Sequence, residues 1–242
     1  MFDSRHYART IVKENIRSSA LGKERPLTVY LPPGYNELLS YPVIYCQDGL
    51  EFFNFGRIAT QTNYMIMEEN VEPPIIVGVE VDKALRSEEY DPTGARFEAY
   101  RDFFINELLP GVESRFPVRR SADERILAGD SLGGTVSLHL ALDAPQLFRK
   151  VIALSGAFYE ATQLRLQEET DLSFLELFMA VGLQEQAVEV SRGVYDFLQA
   201  NRNAARLLTE RGAKVSYEEK DGKHLWGFWQ NELPSALRLF LG

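Results

Sequence analysis

Ile126-Leu127-Ala128-Gly129-Asp130-Ser131-Leu132-Gly133-Gly134-Thr135-Val136-Ser137-Leu138-His139-Leu140-Ala141-Leu142 is the stretch on which the reading of this chain turns. It opens with an apolar run of strand character and closes with a helical segment. Between them stands Ser131, with a glycine two positions away on either side. Gly129 and Gly133 suit a tight strand-to-helix turn in which backbones approach so closely that a Cβ would collide. Such a turn lifts the Ser131 hydroxyl clear of a sheet and places it at a helix N-terminus, where free backbone N–H groups favour developing negative charge. Ser131 is thereby a candidate nucleophile. The alternative is a glycine-rich βα turn whose serine merely caps the helix, so the rest of the chain must supply partners for the hydroxyl.

Working outward, apolar runs at Val43 to Cys46, Ile75 to Val81, Ile126 to Ala128, Val151 to Leu154 and Phe178 to Val181 have the continuous character of parallel strands buried on both faces. Helical segments separate them. In one, Phe97, Tyr100, Phe104 and Leu108 recur at helical spacing with Arg96, Arg101 and Asp102 turned outward, and Pro110 is expected to help end it. Strand and helix in alternation predict an α/β fold with a mostly parallel, doubly wound sheet and helices on both faces. Pro26-Leu27-Thr28-Val29-Tyr30-Leu31 follows a polar turn at Gly22 to Glu24 and predicts antiparallel strands at the N-terminal side. No linker, repeat or low-complexity tract interrupts residues 1–242, so one domain is expected.

Composition sets outer limits. At 242 residues and 45% hydrophobic, the chain can fill one sizeable core. No run approaches the roughly 20 apolar residues of a membrane span. The first residues, with Arg5, His6 and Arg9, lack a secretory apolar segment, and a cytoplasmic location is expected. Cys46 is the single cysteine, which excludes an internal disulfide and reads as a buried strand residue. With three scattered histidines and one cysteine, no zinc site is expected. A net charge of −9 argues against nucleic acid or an anionic membrane as partner.

The histidine count tests the nucleophile. In a strand–turn–helix hydrolase the triad runs serine, acid, histidine along the chain, which disfavours His6 as base. His139 lies on the same helix as Ser131, roughly 12 Å further along at 1.5 Å per residue, and cannot reach back. His224 remains, in the turn-rich loop Asp221-Gly222-Lys223-His224 after the strand-like Lys214-Val215-Ser216-Tyr217-Glu218. Its acid partner should leave the carboxyl edge of the sheet just after a strand. Leu177-Phe178-Met179-Ala180-Val181 is the best strand before His224, and it runs into Gly182-Leu183-Gln184-Glu185. Glu185 is the first choice; Glu189 and Asp196 remain open. An oxyanion hole needs two backbone donors. Leu132, the residue after the serine, is one candidate. Leu50, in the loop Gln47-Asp48-Gly49-Leu50 that follows the strand at Val43, is the other.

Tyr45-Cys46-Gln47-Asp48-Gly49, Arg86-Ser87-Glu88-Glu89-Tyr90, Glu107-Leu108-Leu109-Pro110, Gly129-Asp130-Ser131-Leu132-Gly133-Gly134 and His224-Leu225-Trp226-Gly227-Phe228-Trp229 occur in an order that resembles the esterase D and enterochelin-esterase-like branch of the α/β-hydrolases. The likeness spans the chain from the Pro32-Pro33-Gly34-Tyr35 turn to the last helix. It implies an α/β-hydrolase fold and carboxylic ester hydrolysis by a serine–acid–histidine triad without metal or organic cofactor. An acid three positions after the glycine that ends the preceding strand is a pattern of this family, and Glu185 matches it. Gln47 stands where relatives often have histidine, and Lys223 where a second glycine is common, departures that bear on substrate class.

The substrate is expected to be a small-molecule ester. About 20 residues separate the strands ending at Leu154 and starting near Leu177, too few for a lid domain, so an open cleft is expected. Gln47, Asp48, Arg86, Glu89, Tyr90 and Trp226 are candidate lining residues. For Arg86, Glu89 and Tyr90 the alternative is a salt-bridged surface loop, and for Trp226, Phe228 and Trp229 a helix packing its aromatics on the core. Acyl transfer, thioester hydrolysis of the S-formylglutathione hydrolase kind and a non-catalytic hydrolase-like binding module are the competing functions. A homodimer is compatible with the sequence.

Overall fold

The computed structural model describes residues 9–190 and 193–242, so that Arg5 and His6 lie outside the described residues. β1 (Thr10–Ser18) and β2 (Lys23–Leu31) pair antiparallel across a turn at Gly22, whose φ of 71° suits glycine. β3 (Val43–Cys46), β4 (Ile75–Val79), β5 (Arg125–Asp130), β6 (Lys150–Leu154) and β7 (Glu176–Gly182) follow. β8 (Val188–Val190) and β9 (Gly193–Tyr195) form a separate small hairpin, and β10 (Lys214–Lys220) completes the set. The main sheet has eight strands in the order β1-β2-β4-β3-β5-β6-β7-β10. β2 runs antiparallel to β4, and every pair from β4 to β10 is parallel. The expected α/β-hydrolase architecture is therefore present, antiparallel N-terminal strands included.

Alternation along the buried strands sorts the core into two layers. Val43, Tyr45, Val77, Leu127, Val151, Ala153, Leu177 and Met179 face one side, under α4 (Phe97–Asp102), α6 (Leu132–Asp143) and α8 (Phe197–Glu210). Ile44, Cys46, Ile76, Ala128, Ile152, Leu154, Phe178 and Ala180 face the other, under α1 (Gly49–Asn54), α2 (Ile58–Glu69) and α9 (Trp226–Leu241). Both faces being covered explains why these strands read as unbroken apolar runs. Cys46 is fully buried among them.

After β3 the chain passes to β4 on one side, and it later returns to lay β5 on the other. Reversals of this kind open a crevice beyond the carboxyl ends of the two central strands. Gln47 and Asp48 leave β3 there, and Ser131 leaves β5 beside them. α3 (Arg86–Tyr90) follows β4 at the same edge of the sheet, and α7 (Glu160–Glu168) lies between β6 and β7.

One helix differs from expectation. Pro110 does not end the segment that begins at Phe97. The chain widens into a π-helical stretch, Phe103–Leu108, and continues as α5 (Leu109–Glu113), with Pro110 in its first turn. Proline lacks an N–H, so a helix that changes its bonding pattern just before it and restarts there loses little. Among the described residues no helix is long and apolar enough to cross a membrane.

Candidate active site

Ser131 sits between β5 and α6 with φ 51° and ψ −122°, a conformation that side-chain-bearing residues rarely adopt. Such a residue stores about 1–3 kcal/mol and persists only where its surroundings impose it. Here they do: Ser131 N–H donates to Leu154 C=O at 2.9 Å, and Ser131 C=O accepts from Ala157 N–H at 2.9 Å and Thr135 N–H at 3.2 Å. The flanking glycines close the turn. A Cβ on Gly129 would lie 2.1 Å from the carbonyl carbon and oxygen of Gly133, which no adjustment short of opening the elbow could relieve. Hydrogen bonding in α6 begins at Thr135, so the amides of Leu132, Gly133 and Gly134 precede it.

His224 occupies the loop between β10 and α9, one face of its ring against Phe197 (centroids 4.0 Å apart) and Trp229 edge-on at 4.9 Å. Its Nε2 is 3.0 Å from Ser131 Oγ, and its Nδ1 is 2.7 Å from Glu185 Oε2. A carboxylate offers only acceptors, so Nδ1 carries the proton and Nε2 is left free to accept from the serine hydroxyl. Glu185 is fully buried and held from behind, its Oε1 accepting from Gly182 N–H at 2.8 Å and Ser155 Oγ at 2.7 Å. The two other acids left open by the sequence are elsewhere. Asp196 caps α8 by accepting from Gln199 N–H, and Glu189 belongs to the β8–β9 hairpin. His139 is buried in α6, 3.0 Å from Thr162 Oγ1, and burial pushes its imidazole down to about 4.

The opposite flank of Ser131 holds charge. Arg86 grips Asp48 with two bonds, Nε to Oδ1 at 2.8 Å and Nη2 to Oδ2 at 2.7 Å, and also donates to the carbonyl of Asp130 at 3.3 Å. The guanidinium thus ties the loop after β3 to the residue preceding Ser131. Asp48 has φ 52° and caps α1, whose first internal bonds run from Glu51 and Phe52 N–H to its carbonyl, so the Leu50 amide precedes them. Burial raises the Asp48 carboxyl and raises that of Asp130 further; Arg86 opposes both shifts.

These contacts correct several lining assignments. Gln47 is fully buried and accepts from Tyr100 OH. Glu89 is fully buried against Arg25 of β2, at 2.7 Å, and Tyr90 is buried where its OH accepts from Asp48 N–H. Their polar ends are taken up by internal partners, Tyr100, Arg25 and the amide of Asp48, instead of facing a ligand. Asp48 is nearly as buried, while Arg86 and Trp226 keep some exposure. Phe228 and Trp229 pack in the core, and the Trp226 indole donates to Glu51 Oε2 at 3.1 Å.

Residues 18–240 match the family described as "Putative esterase". The chain belongs to this esterase family. An uncharacterized protein of Bacillus subtilis (strain 168), YjcH, is 34% identical over 234 residues, covering 96% of this chain and 98% of its own length. A ferulic acid esterase structure superposes with a TM-score of 0.84 at 20% identity, covering 96% of this chain and 98% of the other. The enterobactin esterase FES from Shigella flexneri superposes with a TM-score of 0.81 at 20% identity, covering 95% of this chain and 59% of its own. The protein is a carboxylic ester hydrolase. Two side chains at this esterase's site, Ser155 and Phe197, escaped the sequence reading, which placed Trp229 only among the aromatics of the last helix. Ser155 follows β6 with φ 48°, Trp229 turns its N–H inward, and Phe197 stacks on His224. A small polar residue just beyond a buried strand, next to Gly156, was the one available signal for Ser155.

Proposed function

We propose that this esterase cleaves its substrate through an acyl-enzyme formed on Ser131. His224 removes the hydroxyl proton as Ser131 Oγ attacks the ester carbonyl, and Glu185 holds the imidazole and stabilises its charged form. The amides of Leu132 and Leu50, each at the start of a helix beside the elbow, take the oxyanion. His224 then returns the proton to the leaving alcohol. Water, activated by the same imidazole, attacks the acyl carbonyl and releases the acid and Ser131. The observation that carries this reading is the unbroken series Ser131 Oγ, His224 Nε2, His224 Nδ1, Glu185 Oε2 at 3.0 and 2.7 Å on a serine held in a strained conformation.

The neighbourhood of His224 favours an aromatic or otherwise apolar group on the substrate. Tyr159, Tyr195 and Phe197 follow one another edge to face at 4.6 and 5.2 Å, and the series ends on the imidazole. Arg86, which donates to the carbonyl of Asp130 beside the elbow, is already committed to Asp48, which disfavours a substrate recognised by its negative charge.

The test is a panel of acetyl, benzoyl and hydroxycinnamoyl esters with a formyl thioester, run on wild type and Ser131→Ala. Wild type should show a burst of alcohol release with p-nitrophenyl esters and prefer aromatic acids, and Ser131→Ala should lose about a thousandfold or more in kcat. An alanine variant that keeps full activity, or a wild type inert on all four, defeats the proposal. Adding alcohols as acyl acceptors separates hydrolysis from acyl transfer by product analysis.

A further inference from the structure

Behind Glu185 a hydroxyl and an indole fill the space between β6, β7 and α9. Ser155 is fully buried, and its N–H donates to Ala180 C=O at 2.7 Å, which fixes the loop to β7. Its Oγ lies 2.7 Å from Glu185 Oε1 and 2.8 Å from Trp229 Nε1. An indole N–H can only donate, so Ser155 Oγ must accept it, and the single hydroxyl proton is left to point at the carboxylate. Glu185 accordingly takes three donors: Gly182 N–H, the Ser155 hydroxyl and His224 Nδ1–H. Trp229 does a second thing, for its ring also meets the His224 ring edge-on.

We infer that Trp229 and Ser155 form a positioning relay that fixes Oε1 of Glu185 and so presents Oε2 to the imidazole, which is held between Glu185 and Ser131 in one tautomer and one orientation. The inference rests on the reading of Ser131, His224 and Glu185 as the reacting groups. Neither relay residue touches the nucleophile's oxygen or a reacting atom. Ser155 acts through the carboxylate, in which hydrogen bonds to the ionised form are worth about twice those between neutral groups, and Trp229 adds its edge-on contact with the imidazole.

A purely structural role for Ser155 would be to turn the chain at φ 48°. Ser155→Gly separates the two, since glycine adopts positive φ more readily than serine and removes the CH2OH side chain without disfavouring the turn. Wild type, Ser155→Gly, Trp229→Phe and Ser131→Ala are compared on p-nitrophenyl acetate across pH, with unfolding midpoints measured alongside. Ser155→Gly should lower kcat about 10- to 100-fold, the range expected for one lost hydrogen bond to a charged group, with KM nearly unchanged. The acid limb of its kcat/KM profile should move to higher pH, because a donor favouring the carboxylate over the acid is gone. Trp229→Phe keeps an aromatic edge near His224 but frees the Ser155 hydroxyl, and it should shift the profile in the same direction by less. The downfield proton resonance of the His224–Glu185 hydrogen bond should move in both variants. A Ser155→Gly enzyme with wild-type kcat, profile and resonance overturns the relay while Ser131→Ala remains inactive. An active Ser131→Ala removes the catalytic reading, and the relay with it.

Discussion

On the β6-β7-β10 side of Ser131, the polar atoms of Trp229, Ser155, Glu185 and His224 are handed from one to the next, whereas on the β3 side buried polar atoms are left over. Gln47 Nε2 and Asp130 Oδ1 find no partner among the described residues, and the one guanidinium of Arg86 serves both the Asp48 carboxylate and the backbone carbonyl of Asp130. The first flank orients a proton carrier, and its order comes from filled valences. The second concentrates charge under two helix starts, and its order depends on one ion pair. Removing a member of a satisfied network should therefore be felt mainly in the rate. Removing the cation from the crowded flank should be felt in both the rate and the fold.

The hardest test of that contrast is Glu185→Gln. An amide of the same shape preserves packing but offers an N–H where the imidazole needs an acceptor, and kcat should fall about 10³- to 10⁴-fold with little loss of stability. Steady-state kinetics beside a thermal scan would decide it, and a large drop in unfolding midpoint would erase the distinction between the flanks. Arg86→Met comes next. It leaves Asp48 buried without its partner, which costs about 3–5 kcal/mol of stability, and it unties the loop that carries the Leu50 amide, for an expected loss of about 100-fold in kcat. Adding Asp48→Asn should recover much of the stability, because the uncompensated charge is then gone; chemical denaturation of the single and double variants measures the coupling.

A smaller effect is set by pH. His139, on the same helix as the elbow, is held neutral by burial, its imidazole pushed down to about 4. Unfolding frees it to bind a proton at its ordinary value, so the unfolded state gains protons over the folded one between about pH 6.5 and 4, and stability falls with pH across that window. The loss should reach on the order of 2 kcal/mol by pH 5. Denaturation of wild type and His139→Gln at pH 7 and pH 5 isolates it as the part the variant lacks. The smallest change is expected at Asp130→Asn. Burial and the neighbouring Asp48 raise that carboxyl, so its charged form opposes folding as pH rises through the folded-state value. The amide should raise the midpoint at alkaline pH by roughly 2–4 °C, and a lowered midpoint would mean that Asp130 is wanted as an anion.

The strands were legible because residues such as Val43 to Cys46 are buried on both faces and show it as unbroken apolarity. The placement of Ser131, Glu185 and His224 in one line was legible for a different reason: two glycines bracket the serine, a glycine precedes the glutamate by three positions, and histidine is scarce. Local spacing carried none of the rest. Glu89 reads as a surface charge until Arg25, 64 positions earlier, is laid against it by the β2–β4 pairing. The hydroxyl of Ser155 gains meaning only from an indole 74 positions later. Pro110 reads as a stop signal because a change of helical pitch leaves no residue-type signature ahead of it.

Ser131 is set on its elbow by β5, α6 and the end of β6, yet its base arrives 93 positions later on a loop whose strand, β10, takes the outer edge of the sheet. β10 pairs in parallel with β7, Lys214 in register with Glu176, and a non-local pairing of this kind belongs to the slow part of folding. A chain diluted from denaturant should therefore regain its helical signal first and its hydrolytic turnover last, when β10 docks on β7. Turnover is then a clock for the closing of the sheet, and until that moment the nucleophile exists without anything to deprotonate it.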